Sequence, residues 1–130
     1  MEQRPQRNRL VIGIGNPLRG DDGVGALLAE PVGGRCVQQL TPELAAELAE
    51  LEAVLFIDAW LAPAGAAGSH RLEPAQLLAI SQVLYGRAPD AHLLRVPAYG
   101  FDHGTVLSAE LQAALPAARA LLCQWMSGHA

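Results

Sequence analysis

The chain has 130 residues, 51% of them hydrophobic, and a net charge of −4 from nine basic and thirteen acidic residues. This length supports one buried core but not two, and the excess of acid excludes a nucleic-acid binder that works through general basicity. No apolar run approaches the roughly 20 residues that span a bilayer, and the polar first residues predict no signal peptide. We therefore expect a cytoplasmic protein that binds neither membranes nor nucleic acids.

The two cysteines and the first residues carry little chemical signal. We expect residues 1–8 to form a disordered N-terminal segment and residues 9–127 to form a single α/β domain. Cys36 and Cys123 lie far apart in the sequence without metal-binding spacing, which is typical of proteins from a reducing compartment. We expect both cysteines to be buried as small hydrophobic residues.

Short apolar runs alternate with helix-like segments along the chain. Continuous apolar runs, such as A-V-L-F-I at 53–57, predict buried strands of a parallel sheet. Leucines at helical spacing follow residues that favour a helix start, as at Thr41-Pro42-Glu43 and at Ser108. The predicted strands cover 9–14, 35–40, 53–57 and 92–96, and the predicted helices begin near residues 24, 41, 74 and 108. This order predicts a doubly wound α/β fold, a single three-layer α/β/α sandwich with a twisted, mostly parallel sheet.

The most informative segment is G-I-G-N-P-L-R-G-D-D-G-V-G at residues 13–25, between a predicted strand and a predicted helix. Turns of this kind are where α/β proteins bind ligands. The segment carries two adjacent carboxylates, Asp21 and Asp22, either of which is also a suitable N-cap for the helix. Leu18 stands where the dinucleotide fingerprint has its third glycine, and the chain has no lysine for a Walker motif. The segment therefore favours a cation or proton-transfer site over a nucleotide site.

A further carboxylate, Asp58, comes at the end of the third predicted strand. If that strand neighbours the first, Asp22 and Asp58 lie in one crevice, because ligands bind beyond the carboxyl ends of parallel strands. A buried acid is costly unless it is protonated, paired or bound to a cation; a simple loop cap is the alternative. His70 precedes the third predicted helix, and an Asp, Asp, His set suits a divalent transition metal. A lone surface histidine is the alternative for His70, and His103 is a second candidate.

The segment 13–25 resembles the N-terminal signature of the NiFe-hydrogenase maturation endopeptidases. The similarity continues, in order, through L-T-P-E-L at 40–44, F-I-D-A at 56–59 and S-H-R-L-E-P-A-Q-L-L at 69–78. The resemblance implies a phosphorylase/hydrolase-like α/β fold and a protease that removes the C-terminal extension of the hydrogenase large-subunit precursor. It also implies that nickel, already inserted in the precursor, is the recognition element, so that no tightly bound cofactor is expected in the chain itself.

The resemblance further implies which residues form the site. The metal-contacting set corresponds to Asp22, Asp58 and His70, with the two aspartates as the catalytic carboxylates. The family often has glutamate at the position of Asp22, and little sequence separates Asp58 from His70 here. The residues expected to contact the substrate are Gly15, Asn16, Asp21 and His103.

The sequence is also compatible with other functions and with two different mechanisms. The chain could be a non-catalytic module that binds a metal or the precursor, another metal-dependent hydrolase on the same scaffold or, least favoured, a nucleotide-binding protein. An aspartic-type mechanism needs Asp22 and Asp58 close enough to share a proton. A metal-bridging arrangement allows a wider gap but needs His70. The sequence does not determine which hydrogenase is processed or the oligomeric state.

Overall fold

A computed structural model describes residues 8–60, 71–100 and 104–128 of the chain. Within these residues, four strands form one sheet in the order β2-β1-β3-β4, and every neighbouring pair is parallel. The strands are β1 (Arg9–Ile14), β2 (Arg35–Val37), β3 (Ala53–Trp60) and β4 (Asp90–Pro97). The α-helices are α1 (Val24–Ala29), α2 (Leu44–Ala49), α3 (Pro74–Tyr85) and α4 (Ala109–Gly128), with short 3-10 helices at Gly20–Gly23 and Glu30–Val32.

The sheet separates two hydrophobic cores. Successive side chains of a strand project to opposite faces, so alternate residues of β3 enter different cores. Leu55 and Ile57 pack with α1 and α4, whereas Val54 and Phe56 pack with α2 and α3. The predicted three-layer α/β/α sandwich with a parallel sheet is confirmed.

Helix α1 packs unusually close to β1 because glycines face each other across the contact. A Cβ on Gly25 would lie 2.6 Å from the backbone nitrogen of Ile14, and one on Gly13 would lie 2.2 Å from the carbonyl oxygen of Gly25. No side chain fits at such distances. These two glycines of the signature therefore bring α1, and the 3-10 helix that precedes it, against the carboxyl end of the sheet.

Some element boundaries differ from the predicted ones. Strand β2 covers three residues instead of six, and β3 continues past Asp58 to Trp60 because β4 pairs with it along its whole length. Helix α2 begins at Leu44 rather than at Thr41 and has no side-chain cap. The cap at Ser108 is confirmed, since its hydroxyl accepts a hydrogen bond from the Leu111 N–H at 3.0 Å.

The prediction that Cys36 and Cys123 are buried was wrong, because both are exposed free thiols. Cys36 lies on β2, a short strand at the edge of the described sheet, and Cys123 lies on α4 next to the buried Leu122. Asn8, placed in the predicted disordered segment, is bonded to the fold because its carbonyl oxygen accepts the Glu52 N–H at 2.7 Å. Among the described residues, no helix is both long and apolar enough to cross a membrane.

Candidate active site

Asp22 and Asp58 both lie at the carboxyl end of the parallel sheet. Asp58 is the register partner of Ile14, the last residue of β1, and Asp22 belongs to the 3-10 helix that follows β1. Both side chains are buried, with Asp22 6% and Asp58 7% exposed. Strands β1 and β3 are neighbours, so the condition that the sequence set for a shared crevice is met.

The turn after β1 is built around the carboxylate of Asp22. The Asn16 N–H donates a hydrogen bond to its Oδ2 at 2.8 Å, and the Asn16 side chain accepts the Leu18 N–H at 2.9 Å. Gly15 has a φ of +134°, and a Cβ there would lie 2.1 Å from the Asp22 carbonyl oxygen and 2.8 Å from Oδ1. Gly15 and Asn16 therefore hold Asp22 in place; that they also contact a substrate stays a prediction.

Asp22 carries a carboxyl group whose pKa is raised above its ordinary value. Burial is the main cause, because it disfavours the charged form. The Asn16 N–H acts in the opposite direction, as do the positive charges of Arg19 and Arg71. A buried carboxyl group with a raised pKa and cations nearby is a common feature of binding and proton-transfer sites.

Within the described part of the chain, one carboxyl oxygen of Asp58 is paired and the other has no partner. Its Oδ2 lies 3.5 Å from Nη2 of Arg71, whereas its Oδ1 is buried with no hydrogen-bond partner among the described residues. Burial raises the pKa of Asp58 to about 6, against the attraction of Arg71 and with a further contribution from the negative charge of Asp22. The group therefore changes its protonation state near neutral pH, as a general acid or base must.

Arg71 is a site residue to which the sequence reasoning gave no role. Its charge lowers the pKa of both Asp22 and Asp58, although burial outweighs it at each. It lies three residues before Pro74, the first residue of α3. A cation near the positive end of a helix dipole is disfavoured unless an acid is close, and this signal in the sequence could have pointed to Arg71.

Asp21 forms an internal link rather than a helix cap. Its side chain is fully buried and accepts four hydrogen bonds: from the N–H groups of Tyr99 (2.7 Å), Gly100 (3.2 Å) and Ser108 (2.7 Å), and from the Ser108 hydroxyl (2.7 Å). Burial raises its pKa, but these bonds outweigh burial and hold the pKa below its ordinary value. The predicted cap was wrong for Asp21 and Asp22, because α1 has Gly23 at its N-cap and no side-chain cap bond.

This link gives Asp21 a structural role where the sequence predicted a substrate contact. It ties the 3-10 helix that carries Asp22 to the start of α4 and to the segment after β4. Asp22 is thus positioned from both sides, by the turn that precedes it and by the neighbour that anchors it.

The predicted histidines His70 and His103 lie outside the described residues, and their roles stay predictions. Among the described residues, no group of three or more His, Cys, Asp or Glu side chains could hold a metal ion. Asp22 and Asp58 supply two hard oxygen donors, and the unpartnered Oδ1 of Asp58 fits such a use. His92 has a structural role, because its Nδ1 accepts a hydrogen bond from the Trp125 indole at 3.2 Å.

Comparison with known proteins supports the fold through solved structures. No family model matches the chain, and no curated protein does. The NiFe hydrogenase maturation protease HybD from Thermococcus kodakarensis superposes with a TM-score of 0.66 over 91% of this chain and 98% of that one, at 21% identity. The chain has the fold of the NiFe-hydrogenase maturation proteases.

Two further structures agree with this fold. The hydrogenase maturating endopeptidase HybD from E. coli has a TM-score of 0.65 and 19% identity, over 93% of this chain and 94% of that one. The maturation protease HycI from Thermococcus kodakarensis KOD1 has a TM-score of 0.63 and 22% identity, over 90% and 89%. At such identities the likeness establishes the fold, and the chemistry has to be argued from the site.

Proposed function

We propose that the chain is an endopeptidase that removes the C-terminal extension of a nickel-loaded NiFe-hydrogenase large-subunit precursor. The observation that carries this proposal is the pair of buried carboxylates, Asp22 and Asp58, at the carboxyl end of the sheet. One of them has a pKa raised to about 6. The fold that the chain shares with hydrogenase maturation endopeptidases supports the choice of reaction.

Peptide hydrolysis needs a base that takes a proton from water and an acid that gives one to the leaving amine. Asp58 is suited to both steps, because a carboxyl group with a pKa near 6 is mostly ionised at pH 7 and still readily protonated. Water adds to the scissile carbonyl carbon and passes its proton to Asp58. The C–N bond then breaks, and Asp58 returns the proton to the amine nitrogen. Arg71 holds Oδ2, which leaves Oδ1 for the water.

Nickel enters this scheme as part of the substrate. Carboxylates and an imidazole together suit a divalent transition metal. Of the set Asp22, Asp58 and His70, we propose that Asp22 and His70 contact the nickel of the precursor, while Oδ1 of Asp58 stays with the water as the base. Such a contact would bring the neighbouring peptide to the site by proximity, so that only a loaded precursor is cut. The two free, exposed cysteines are in keeping with the cytoplasmic location that we propose for this reaction.

The experiment that tests the proposal compares nickel-loaded with nickel-free precursor. Each form is incubated with the chain, and mass spectrometry follows the loss of the C-terminal extension. We expect cleavage of the loaded form alone. Equal cleavage of both forms would contradict recognition through nickel, and no cleavage of a confirmed cognate precursor would contradict the peptidase assignment. Binding without cleavage would indicate a non-catalytic module, and cleavage of unrelated peptides a different hydrolase.

A further inference from the structure

A further cation, Arg95, lies beside Asp58 on the same face of the sheet. Arg95 on β4 and Asp58 on β3 are register partners, so their Cα atoms are one strand spacing, about 4.8 Å, apart. Register partners project to the same face, and here it is the face covered by α2 and α3, because Val54 and Phe56 of β3 pack there with Ala91 of β4. A peptide that reaches Asp58 therefore also reaches Arg95.

Arg95 stacks on an aromatic ring instead of pairing with the nearby acid. Its guanidinium carbon is 3.9 Å from the ring centroid of Trp60, which is two residues beyond Asp58 and half-buried. An arginine side chain that contacts an aromatic ring in this way can still bind a carboxylate with two parallel hydrogen bonds, because its guanidinium carries five N–H donors. We call these two residues the Trp60–Arg95 pair.

The charge of Arg95 has no acid partner within the described part of the chain. Asp58 is paired with Arg71, and the structure gives Arg95 no ion pair with a described carboxylate. Arg19 and Arg71 already act on Asp22. Arg95 is thus an additional, exposed cation near Asp58 at the carboxyl end of the sheet, in a chain whose net charge is −4.

We propose that the Trp60–Arg95 pair is a subsite that binds a carboxylate of the peptide substrate close to the scissile bond. The inference rests on the proposed peptidase function and adds the substrate class, a peptide with an acidic group near the bond that is cut. Because Arg95 lies on the strand next to Asp58 and in register with it, that group lies on the same side of the sheet as the scissile bond and close to it. The carboxylate is either an acidic side chain or the C-terminal carboxylate of the peptide.

Three synthetic peptides distinguish these two sources without any turnover. The first is penta-alanine blocked at both ends, the second has aspartate at its centre, and the third has a free C-terminal carboxylate. The chain has two tryptophans, so the indole N–H signal of Trp60 can be identified by NMR through loss of one signal in Trp60→Phe. We expect this signal to shift on titration with one or both acidic peptides, whichever source is used, and to shift little with the blocked peptide.

Charge removal tests whether Arg95 is responsible. Arg95→Gln should weaken binding of the acidic peptide roughly tenfold or more, since a hydrogen-bonded charge pair is lost. Arg119→Gln removes the same charge from an exposed position on α4, across the sheet, and should change nothing. Equal affinity for the three peptides, no binding of any of them, or an equal effect of the two substitutions would overturn the subsite.

Processing of nickel-loaded precursor separates this inference from the proposed function. We expect Arg95→Gln to raise KM roughly tenfold with little change in kcat, because the subsite binds substrate away from the reacting atoms. An unchanged KM would remove the subsite and leave the peptidase in place. If the unsubstituted chain does not cleave the precursor, the proposed function fails, and the peptide titrations still test the subsite.

Discussion

Asp58 and Arg71 form a partly buried ion pair, with 3.5 Å between Oδ2 and Nη2, and the second carboxyl oxygen of Asp58 is left without a partner among the described residues. The pair orients the carboxyl group and limits the rise in its pKa, which burial nevertheless brings to about 6. An oriented group with one free oxygen and a pKa near neutrality is prepared for proton transfer. This arrangement, together with the contacts that hold Asp22 near Asp58, determines how the site should respond to substitution and to pH.

Neutral replacement of either carboxylate should abolish processing and leave the fold intact. Asp22→Asn and Asp58→Asn keep the side-chain shape but remove the charge and the basic oxygen, so we expect the cleavage rate to fall at least about 100-fold. Circular dichroism should show unchanged secondary structure. Glu110→Gln, a matched change at an exposed position of α4, should cleave normally. Rates equal to those of the unsubstituted chain in both aspartate variants would exclude these residues from the mechanism.

Asp58 should make the folded chain less stable as the pH rises. Its folded pKa lies above the ordinary value of 3.8, so the folded state binds more protons than the unfolded state between these values. The free energy of unfolding should therefore fall by up to about 3 kcal/mol as the pH rises from about 4 through about 6. Urea denaturation across this range measures the fall.

The matched variant for this pH effect is Asp58→Asn, whose side chain does not titrate. It should show a smaller decrease in stability than the unsubstituted chain over the same range, whereas Glu110→Gln should keep the full decrease. Parallel curves for Asp58→Asn and the unsubstituted chain would show that Asp58 does not titrate with a raised pKa.

Loss of Arg71 should shift the pH profile of processing to higher pH. Its charge opposes the rise in pKa of both Asp22 and Asp58, so Arg71→Gln should raise both pKa values and move the ascending limb of the rate profile toward alkaline pH. Arg35→Gln also removes an ion pair, the exposed one with Glu47 at 2.5 Å, but should leave the profile in place. Identical profiles for the two variants would contradict a role for Arg71 at the site.

Gly15→Ala should damage both stability and activity. The added Cβ would meet the Asp22 carbonyl oxygen at 2.1 Å, and the φ of +134° is unfavourable for alanine. We expect a loss of about 3 kcal/mol or more in the free energy of unfolding, together with displacement of Asp22.

Gly33→Ala is the control for the backbone effect of Gly15→Ala. Gly33 also has a positive φ, +77°, but apart from its chain neighbours no atom of the described residues lies within 4 Å of an added Cβ. Gly33→Ala should therefore lower the free energy of unfolding by only about 1–2 kcal/mol and leave the cleavage rate unchanged. Similar losses in the two variants, with normal cleavage in both, would show that Gly15 does not position Asp22.

The hydrogen bonds of Asp21 should make a large contribution to stability. In Asp21→Asn, an NH2 group, which cannot accept hydrogen bonds, replaces one carboxylate oxygen that accepts them from N–H and hydroxyl groups. We expect the free energy of unfolding to fall by about 3 kcal/mol. Ser108→Ala removes one of these donors and the cap of α4 and should cost about 1–2 kcal/mol. Urea denaturation at neutral pH measures both.

The pH dependence of this link has the opposite sign to that of Asp58. The pKa of Asp21 is lowered on folding, so its stabilisation is present above the ordinary pKa and is lost as the pH falls through the lowered value. Asp21→Asn should lack this acid-induced loss. If the free energy of unfolding falls equally at acidic pH in Asp21→Asn and in the unsubstituted chain, the stabilising role of the Asp21 carboxylate is contradicted.

Local patterns were sufficient to predict most of the fold. A continuous apolar run predicted β1 with its observed bounds, and the helix predicted to begin near residue 74 is α3, which begins at Pro74. The end of β3 was misplaced because a charged residue in the sequence indicates a strand end. Pairing with β4 decides that boundary in the structure, where Asp58 and Trp60 both have partners.

The site was only partly predictable, for a physical reason. That Asp22 and Asp58 meet follows from the strand order, which the sequence analysis left as a condition and which places β1 beside β3 in the structure. The role of Asp21 depends on donors 78 to 87 residues away, and no local pattern reports such contacts. The pairing of Arg71 with Asp58 joins a residue just before α3 to the end region of β3, and the sequence around Arg71 does not indicate this contact.

The most direct test of the proposed endopeptidase is the mass of a cognate nickel-loaded precursor after incubation with the unsubstituted chain and with Asp58→Asn. We expect the unsubstituted chain to shorten the precursor by one cut and to release the C-terminal extension as a single peptide. Asp58→Asn should leave the precursor at full length over the same period. A precursor that stays intact with the unsubstituted chain, or is cut equally fast by Asp58→Asn, would contradict this function.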